Sequence, residues 1–179
     1  MSKHVLKNVV CSFPHVFKAN TKFGPDGKRE ITAMLHKEKH ADVIKVIKAD
    51  IEQMKNSCAK GVPESNICLK DGDAPDSNRP EYAGHYTIKS ASAKIVPVYD
   101  VRKDLLDENT CDLQGGDIVN VSINLWLQDN AYGQRINAQL NGVQYVKEGT
   151  RFGGGGNPAD DFEVMKELEK LSNDEDDGF

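Results

Sequence analysis

Residues 117–146 carry the strongest structural signal in the chain, an alternation of apolar and polar side chains that continues beyond a turn. In "DIVNVSINLWLQ" every second residue from Val119 to Leu127 is apolar, and apolar residues from Ile136 to Leu140 resume the pattern in "DNAYGQRINAQLNGVQYV". Successive side chains of a β-strand point to opposite faces. The alternation therefore predicts a long antiparallel hairpin with one buried face and one polar face.

The remainder of the body predicts shorter strands and one helix. "HVLKNVVCSFPHVF" is typical of an opening strand, which we expect to end near Phe13 because Pro14 has no N–H to donate to a ladder. "FGPDGKREITAMLH" combines a Gly/Pro turn with an alternating run and predicts a second strand. Residues 41–59 have apolar side chains at helical spacing, with Gly61 as a stop. A long loop over 61–83 and short strands at "HYTIKSAS" and "KIVPVYD" follow.

Five or more strands with one helix, and no regular strand–helix alternation, favour an antiparallel barrel or sandwich over a parallel sheet. The sequence therefore predicts a mostly β domain over residues 1–150, with a small closed antiparallel β-barrel as the preferred architecture. Residues 151–159, "RFGGGGNPA", are typical of a flexible linker. In residues 160–179, "FEVMKELEKL" predicts a short second helix and "SNDEDDGF" predicts a disordered acidic tail.

No stretch approaches the ~20 apolar residues that cross a bilayer, and the opening "MSKHVLKNVV" lacks the apolar run of a signal peptide. We therefore expect a cytoplasmic protein without a membrane partner. The four cysteines are scattered and include no CxxC pair, which indicates reduced and mostly structural thiols.

The net charge of −5 is distributed unevenly along the chain. Residues 160–179 contain nine acidic residues and two lysines, whereas the preceding 159 residues hold 21 basic and 19 acidic residues. The basic charge is concentrated in residues 1–60, which carry 12 basic and six acidic side chains. Such a distribution suits a body that binds an anion and a tail that imitates one. A tail that is merely solvated is the alternative.

The predicted polar face of the hairpin is rich in amides and nearly uncharged. It holds the one tryptophan of the chain, Trp126, which must point away from Leu125 and Leu127. An exposed indole among amides suits stacking on nucleobases, a contact worth ~1–3 kcal/mol per base. The alternative is that the loop over 61–83 or the C-terminal helix covers Trp126. Near the N-terminus, basic residues and phenylalanines interleave in "FPHVFKANTKFGPDGKRE", as in a groove that follows phosphates and bases, although several of these rings suit the core equally.

Enzymatic functions have weaker support in the sequence. "GGGG" at 153–156 is not followed by the Lys-Ser/Thr of a phosphate-binding loop, and no GxSxG or HExxH motif occurs. Asp71, Asp73, Asp76 and Glu81 could bind a divalent cation, but the EF-hand spacing is missing. We therefore predict no enzyme, no cofactor and no metal site, with a metal-dependent nuclease that uses these acids as a minor alternative.

The order of these segments resembles the single-stranded DNA-binding proteins of tailed bacteriophages. It includes "FPHVF", "GKREITAML", the helix, "KDGD", "YAGHYTIKSAS", "PVYD", "VNVSINLWL" and "LNGVQYVKEG" before a glycine linker. The ending "DEDDGF" is similar to the acidic, aromatic-terminated tails of phage T7-type and bacterial members. The resemblance implies an OB-fold-like barrel in a non-enzymatic protein that coats single-stranded DNA during phage replication, recombination and repair.

The resemblance also implies that the tail binds replication partners, such as a DNA polymerase or a helicase-primase, and shields the DNA groove. The residues predicted to bind a partner are Asp174, Glu175, Asp176, Asp177 and Phe179. The resemblance does not assign the DNA contacts, which are predicted from the residues themselves. They are Lys18, Lys22, Lys28, Arg29, Tyr86, Lys89, Asn124, Trp126, Tyr132, Arg135 and Asn137. An RNA-binding or protein-interaction module on the same barrel is the alternative function. The oligomeric state stays open, a homodimer included.

Overall fold

The computed structural model describes residues 2–20, 27–75, 77 and 79–152. The predicted helix and acidic tail over 160–179, and the linker beyond residue 152, lie outside the described residues. The helix α1 covers Ala41–Ser57, close to the predicted 41–59. The strands are β1 (Ser2–Asn20), β2 (Lys28–His36), β3 (Leu69–Asp71), β4 (His85–Ser92), β5 (Val98–Tyr99), β6 (Leu105–Leu106), β7 (Ile118–Asn130) and β8 (Gly133–Lys147).

Five of these strands close into a barrel. β1 pairs with β2 and β7, β2 pairs with β4, and β7 pairs with β8, all antiparallel. The circuit is closed by a parallel pairing of β4 with β8, where Ser90 lies opposite Ala138 and Ala91 lies opposite Gln139. Closure leaves no free edge among these five strands. The predicted fold class, an OB-fold-like β-barrel with one helix, is thereby confirmed for the part of the chain that the structure describes.

The buried face of the hairpin fills the barrel. Its apolar residues alternate with half-buried polar ones along β7, as the sequence predicts. Three buried isoleucines of α1, at 44, 47 and 51, cover the core on the helix side. His4 of β1 is tied to α1 by a contact of 2.6 Å between its Nε2 and Asp50 Oδ2. The fully buried hairpin residues are Val119, Val121, Ile123, Leu125 and Ile136.

The prediction that the first strand ends near Phe13 is wrong, because Pro14 lies in a bulge rather than at the end of the strand. The ladder between β1 and β2 shifts register between Ser12 and His15 and then continues to Asn20. Phe13, inside this bulge, has a φ of +49°. Since a bulge leaves a residue unpaired, it accommodates the missing N–H of proline without ending the strand.

The loop predicted over 61–83 contains more order than expected. Two short 3₁₀ turns, Glu64–Asn66 and Pro80–Tyr82, flank the short strand β3, which pairs with β4. Gly72 is needed where the chain folds on itself, because a Cβ there would collide with the carbonyl oxygen of Tyr82. The segment predicted as a strand in "KIVPVYD" forms only the two residues of β5.

The end of the described chain is fastened to the barrel through Asp117, which is 0% exposed. Its carboxylate accepts hydrogen bonds from the backbone N–H groups of Gln114 at 3.0 Å and Gly149 at 3.2 Å. Arg151 completes the contacts, with Nε at 3.1 Å and Nη2 at 3.3 Å. The next residue, Phe152, donates its backbone N–H to the carbonyl of Gly115 at 3.0 Å. The described part of the chain therefore ends at a point that is fixed to the barrel.

The described cysteines are unpaired, as predicted. Burial raises the pKa of Cys11 to about 12 and that of Cys68 to about 11, so both thiols stay protonated at neutral pH. Within the described ranges, no helix is long and apolar enough to cross a membrane.

Candidate nucleic-acid interface

A groove of about 1130 Å³ crosses the outer surface of the barrel. Its floor runs across β1, β2, β4, β8 and β7, and the register aligns these strands side by side. His15 of β1 lies opposite Glu30 of β2, and Ala91 of β4 lies opposite Gln139 of β8. Side chains two residues apart on one strand share a face, so the groove collects the outward-facing residues of all five strands.

Two pieces of the loop between α1 and β4 form the walls. Ser65 to Cys68 run beside β8, where Asn66 Nδ2 donates to the carbonyl of Gln134 at 3.0 Å and the Cys68 N–H donates to that of Ile136 at 3.0 Å. On the β1 side, the Tyr82 hydroxyl donates to Ser12 Oγ at 2.9 Å. The groove is thus bounded by backbone segments that are hydrogen-bonded to the barrel.

Positive charge dominates the charged side chains of the groove. Among the described lining residues, Glu30 is the acidic one. Its Oε2 lies 3.3 Å from Lys89 Nζ. The remaining cations come from separate elements, so their charge is spread along the groove. Repeated positive charge along a channel matches the repeated phosphates of a nucleic-acid strand. The cationic lining residues are Lys28, Lys70, Arg79, Lys89 and Arg135.

Trp126 lines the groove at its β7 end, half-buried and opposite Asn137 in the hairpin. The loop residues on the wall face the same groove and leave the indole partly accessible, so the loop does not bury Trp126. The C-terminal helix, the other candidate to cover it, lies outside the described residues. The neighbouring amides are held in place, because Asn137 Nδ2 donates to Gln128 Oε1 at 3.2 Å and Gln139 Nε2 donates to Ser92 Oγ at 3.2 Å. This end of the groove offers a π-surface framed by hydrogen-bonding groups.

Phe13 lines the β1 end of the groove and is 42% exposed. A positive φ is rare for a bulky aromatic residue, and such a conformation costs of order 1–3 kcal/mol. The bulge is held on both sides, by Tyr82 at Ser12 and by a hydrogen bond from the Gly116 N–H to the Cys11 carbonyl at 2.8 Å. The guanidinium of Arg79 lies 4.2 Å from the centre of the Phe13 ring. A strained backbone thus turns an aromatic ring outward, beneath an arginine.

Five of the predicted DNA contacts come together in this groove, and the five others that the structure describes lie elsewhere. The predicted residues that line the groove are Lys28, Lys89, Trp126, Arg135 and Asn137. Asn124 pairs with Gln139 and shares a face of β7 with Trp126. It does not line the groove. Tyr132, 92% exposed, sits at the tip of the hairpin. Lys22 lies outside the described residues.

The structure places three further predicted contacts away from the groove. Tyr86 accepts a hydrogen bond from Lys48 Nζ at 2.6 Å, and the same ammonium lies 4.1 Å from the centre of its ring, on the side of α1. Lys18 lies 3.4 Å from Glu108 Oε2. Arg29 stands between Lys28 and Glu30, which both line the groove, so its side chain leaves the opposite face of β2.

Sequence reasoning did not assign Lys70, Arg79, Tyr82 or His15 to the site, although all four line the groove. Lys70 and Arg79 belong to the loop predicted over 61–83, where no periodicity indicates direction. Phe13 stood in the sequence only as one of several interleaved phenylalanines. The signal that could have found it is Pro14, since a proline inside a strand marks a bulge that can redirect a side chain.

Three of the four acidic residues considered for a cation site, Asp71, Asp73 and Glu81, are engaged by basic side chains, and the fourth, Asp76, lies outside the described residues. Lys37 Nζ lies 2.7 Å from both Asp71 Oδ1 and Asp73 Oδ2. The hydrogen bonds from Lys37 lower the pKa of Asp71 and that of Asp73, so both carboxylates are ionised at neutral pH. Glu81 lies 3.5 Å from Arg79 Nη1.

Comparison with known proteins gives a consistent set of relatives. The family model described as "Enterobacter phage Enc34, ssDNA-binding protein" matches residues 2–177. The single-stranded DNA-binding protein from bacteriophage Enc34, solved in complex with single-stranded DNA, is 31% identical with a TM-score of 0.75, over 85% of this chain and 90% of that one. "Putative protein p50" of Acyrthosiphon pisum secondary endosymbiont phage 1 is 29% identical, over 93% of this chain and 97% of that protein.

A more distant solved structure has the same fold. The single-stranded DNA-binding protein gp2.5 encoded by bacteriophage T7 superposes with a TM-score of 0.60 over 92% of this chain and 99% of that one, at 16% identity. The barrel is therefore shared beyond the range of clear sequence similarity.

Proposed function

Because the chain belongs to the family of the Enterobacter phage Enc34 single-stranded DNA-binding protein, we propose that it coats single-stranded DNA without sequence specificity. The strand lies in the groove across the barrel, where cations meet its phosphates and aromatic rings stack on its bases. Every base has a π-face and every nucleotide a phosphate, so these contacts do not depend on sequence. The protein itself performs no chemistry on the strand.

The observation that carries this proposal is the coincidence of two kinds of side chain in one groove. Trp126 and the cations from β2, β4, β8 and the loop line the same surface, although they are far apart in the sequence. The relative solved with single-stranded DNA supports the same ligand for this chain. Coating of exposed strands suits phage replication, recombination and repair in the cytoplasm of a bacterial host.

Binding should be visible through Trp126. Oligo-dT should quench the tryptophan fluorescence, and Trp126→Ala should weaken binding by ~1–3 kcal/mol because the stacking surface is lost. Trp126→Phe is the matched control, since it keeps a ring and should retain most of the affinity in a gel-shift assay. Duplex DNA and oligo-U at two salt concentrations complete the experiment. Tighter binding of oligo-U than of oligo-dT would favour the RNA-binding alternative, and an unchanged affinity of folded Trp126→Ala would contradict the stacking role.

For residues 160–179 we propose a double role, as a competitor for the groove and as a docking segment for replication proteins. The charge of this segment supports the first role, because its nine acidic residues complement the cationic groove. The place where the described chain ends supports it too. A methyl group at Gly115 would come within 3.2 Å of the Phe152 ring and 3.9 Å of the Phe13 nitrogen, so the last described residue lies near the β1 end of the groove.

Deleting residues 172–179 should raise the affinity for oligo-dT, because it removes four acidic residues that compete with phosphate. The rise should be largest at low salt, since salt screens this competition. Phe179→Ala is the matched control for charge, and it should leave DNA affinity unchanged while pull-down of a polymerase or helicase-primase is lost. Equal affinities of the truncated and full chains at low salt would rule out the shielding role.

A further inference from the structure

The contact between Phe13 and Arg79 lies where two groove elements meet, beside the hydrogen bond from Tyr82 to Ser12 that already joins them. Phe13 comes from the bulge of β1 and Arg79 from the loop before β4. Their cation–π distance of 4.2 Å is well within the ~6 Å range of such contacts. Neither side chain serves the core, since the ring is 42% exposed and the arginine lies on the surface. A strained backbone and an exposed ring together indicate a role other than packing.

On the basis of the proposed function, we propose that Phe13 and Arg79 form a second nucleobase-stacking site at the β1 end of the groove. A base stacks on the planar pair, and the N–H edge of the guanidinium donates to a neighbouring phosphate. Arginine suits this position because its planar group stacks like a ring and also carries a charge and five donors. Glu81, at 3.5 Å from Nη1, holds the guanidinium only loosely.

The position of the site gives it a separate task from Trp126. Across the groove, from β1 through β2, β4 and β8 to β7, there are four inter-strand steps of ~4.8 Å, so Phe13 and Trp126 stand roughly 19 Å apart along the floor. The direct ladder between β1 and β7 does not bring them together, because Leu125 pairs with Ser2 at the other end of β1. One nucleotide cannot reach both rings. The Phe13–Arg79 site should therefore act only on strands long enough to cross the groove, and it should set the direction in which the strand leaves the barrel.

The decisive variant is Phe13→Gly, because glycine adopts a positive φ without strain. If the ring serves only binding, its removal should leave the melting temperature unchanged or higher. Affinity for long oligo-dT should fall roughly 5- to 150-fold, the range of a lost stacking contact. Oligo-dT lengths from about 4 to 16 nucleotides cover the site sizes of such barrels. The shortest oligomers should bind at the Trp126 end of the groove. Quenching of the Trp126 fluorescence should therefore give the same affinity for them in Phe13→Gly as in wild type.

Arginine variants separate stacking from charge. Arg79→Ala should lower affinity and reduce the slope of log affinity against log salt by about 0.7, whereas Phe13→Gly should leave the slope unchanged. Arg79→Lys keeps the charge and therefore the salt slope. It should still bind long strands more weakly than wild type, because the planar guanidinium that stacks on the base is lost. Arg102→Ala, exposed in the turn between β5 and β6, is the matched control and should bind within twofold of wild type.

Two outcomes would overturn this site. One is a folded Phe13→Gly protein that binds every length within twofold of wild type. The other is a Phe13→Gly protein with a lowered melting temperature and equal losses at all lengths, which would show that the ring is structural. A wild-type protein that binds no oligo-dT would instead refute the proposed function, so the two failures are distinguishable.

Discussion

Alanine at Lys28, Lys70, Lys89 and Arg135 together should lower the affinity for single-stranded DNA by on the order of a thousandfold at 50 mM salt. Each cation that meets one phosphate contributes about 0.7 to the slope of log affinity against log salt, so four contribute about 2.8. The curves of variant and wild type should converge near 1 M salt, where counterion release no longer favours binding. The difference therefore grows steeply as salt is lowered.

The measurement is a fluorescence titration with oligo-dT at several salt concentrations. A matched control replaces four exposed lysines that do not line the groove, which lowers the net charge by the same amount. These lysines are Lys7, Lys39, Lys45 and Lys60. At 0.1 M salt the Debye length is ~10 Å, so charges outside the groove should contribute little. If both variants show the same loss of affinity and the same decrease in the salt slope, the phosphates do not bind in the groove.

The architecture could be predicted from the sequence because its signal is periodic. Alternation from Val119 to Leu127 defines a buried and an exposed face without any knowledge of the partner strand. Closure of the barrel was a less direct inference, since nothing local indicates that β4 and β8 pair in parallel at Ser90–Ala138. Pro14 misleads in the sequence because a strand can accommodate a residue without an N–H in two ways, by ending or by forming a bulge. Here it forms a bulge, and the strand continues.

The candidate site was predictable only where it is built on regular strands. Trp126 and Asn137 follow from the parity of the hairpin, and the structure brings both to the groove. Lys70, in the short strand β3, and Arg79 come from the segment between α1 and β4, whose path depends on close packing at Gly72 and on hydrogen bonds to distant strands. Tyr86 illustrates the opposite error. Its ring looked available in the sequence, but Lys37 and Lys48 lie over it beside the helix.

The largest effect on stability should come from Asp117→Ala. Removing this carboxylate leaves the guanidinium of Arg151, which is 22% exposed, without its buried partner and frees two backbone N–H groups inside the fold. Loss of one member of a buried pair costs about 3–5 kcal/mol. The expected result is a lower urea midpoint with an unchanged m-value, because the surface exposed on unfolding stays the same. Asp117→Asn keeps the shape of the side chain and some of its hydrogen bonds, so it should lower the free energy of unfolding by less than Asp117→Ala.

Asp112 provides the control, because it pairs with the same arginine from a solvent-exposed position. Its Oδ2 lies 3.4 Å from Arg151 Nη1, and its side chain is 74% exposed. Water and salt screen such a pair, so Asp112→Ala should cost at most about 1 kcal/mol. If both variants lower the free energy of unfolding by the same amount, burial of Asp117 adds nothing to the stability of its ion pair with Arg151. A large loss confined to Asp117→Ala would instead mean that one buried carboxylate fixes Arg151 and, beside it, the last described residue, Phe152. If residues 160–179 compete with DNA as proposed, the same variant should also weaken that competition, because Phe152 would lose its fixed position near the groove.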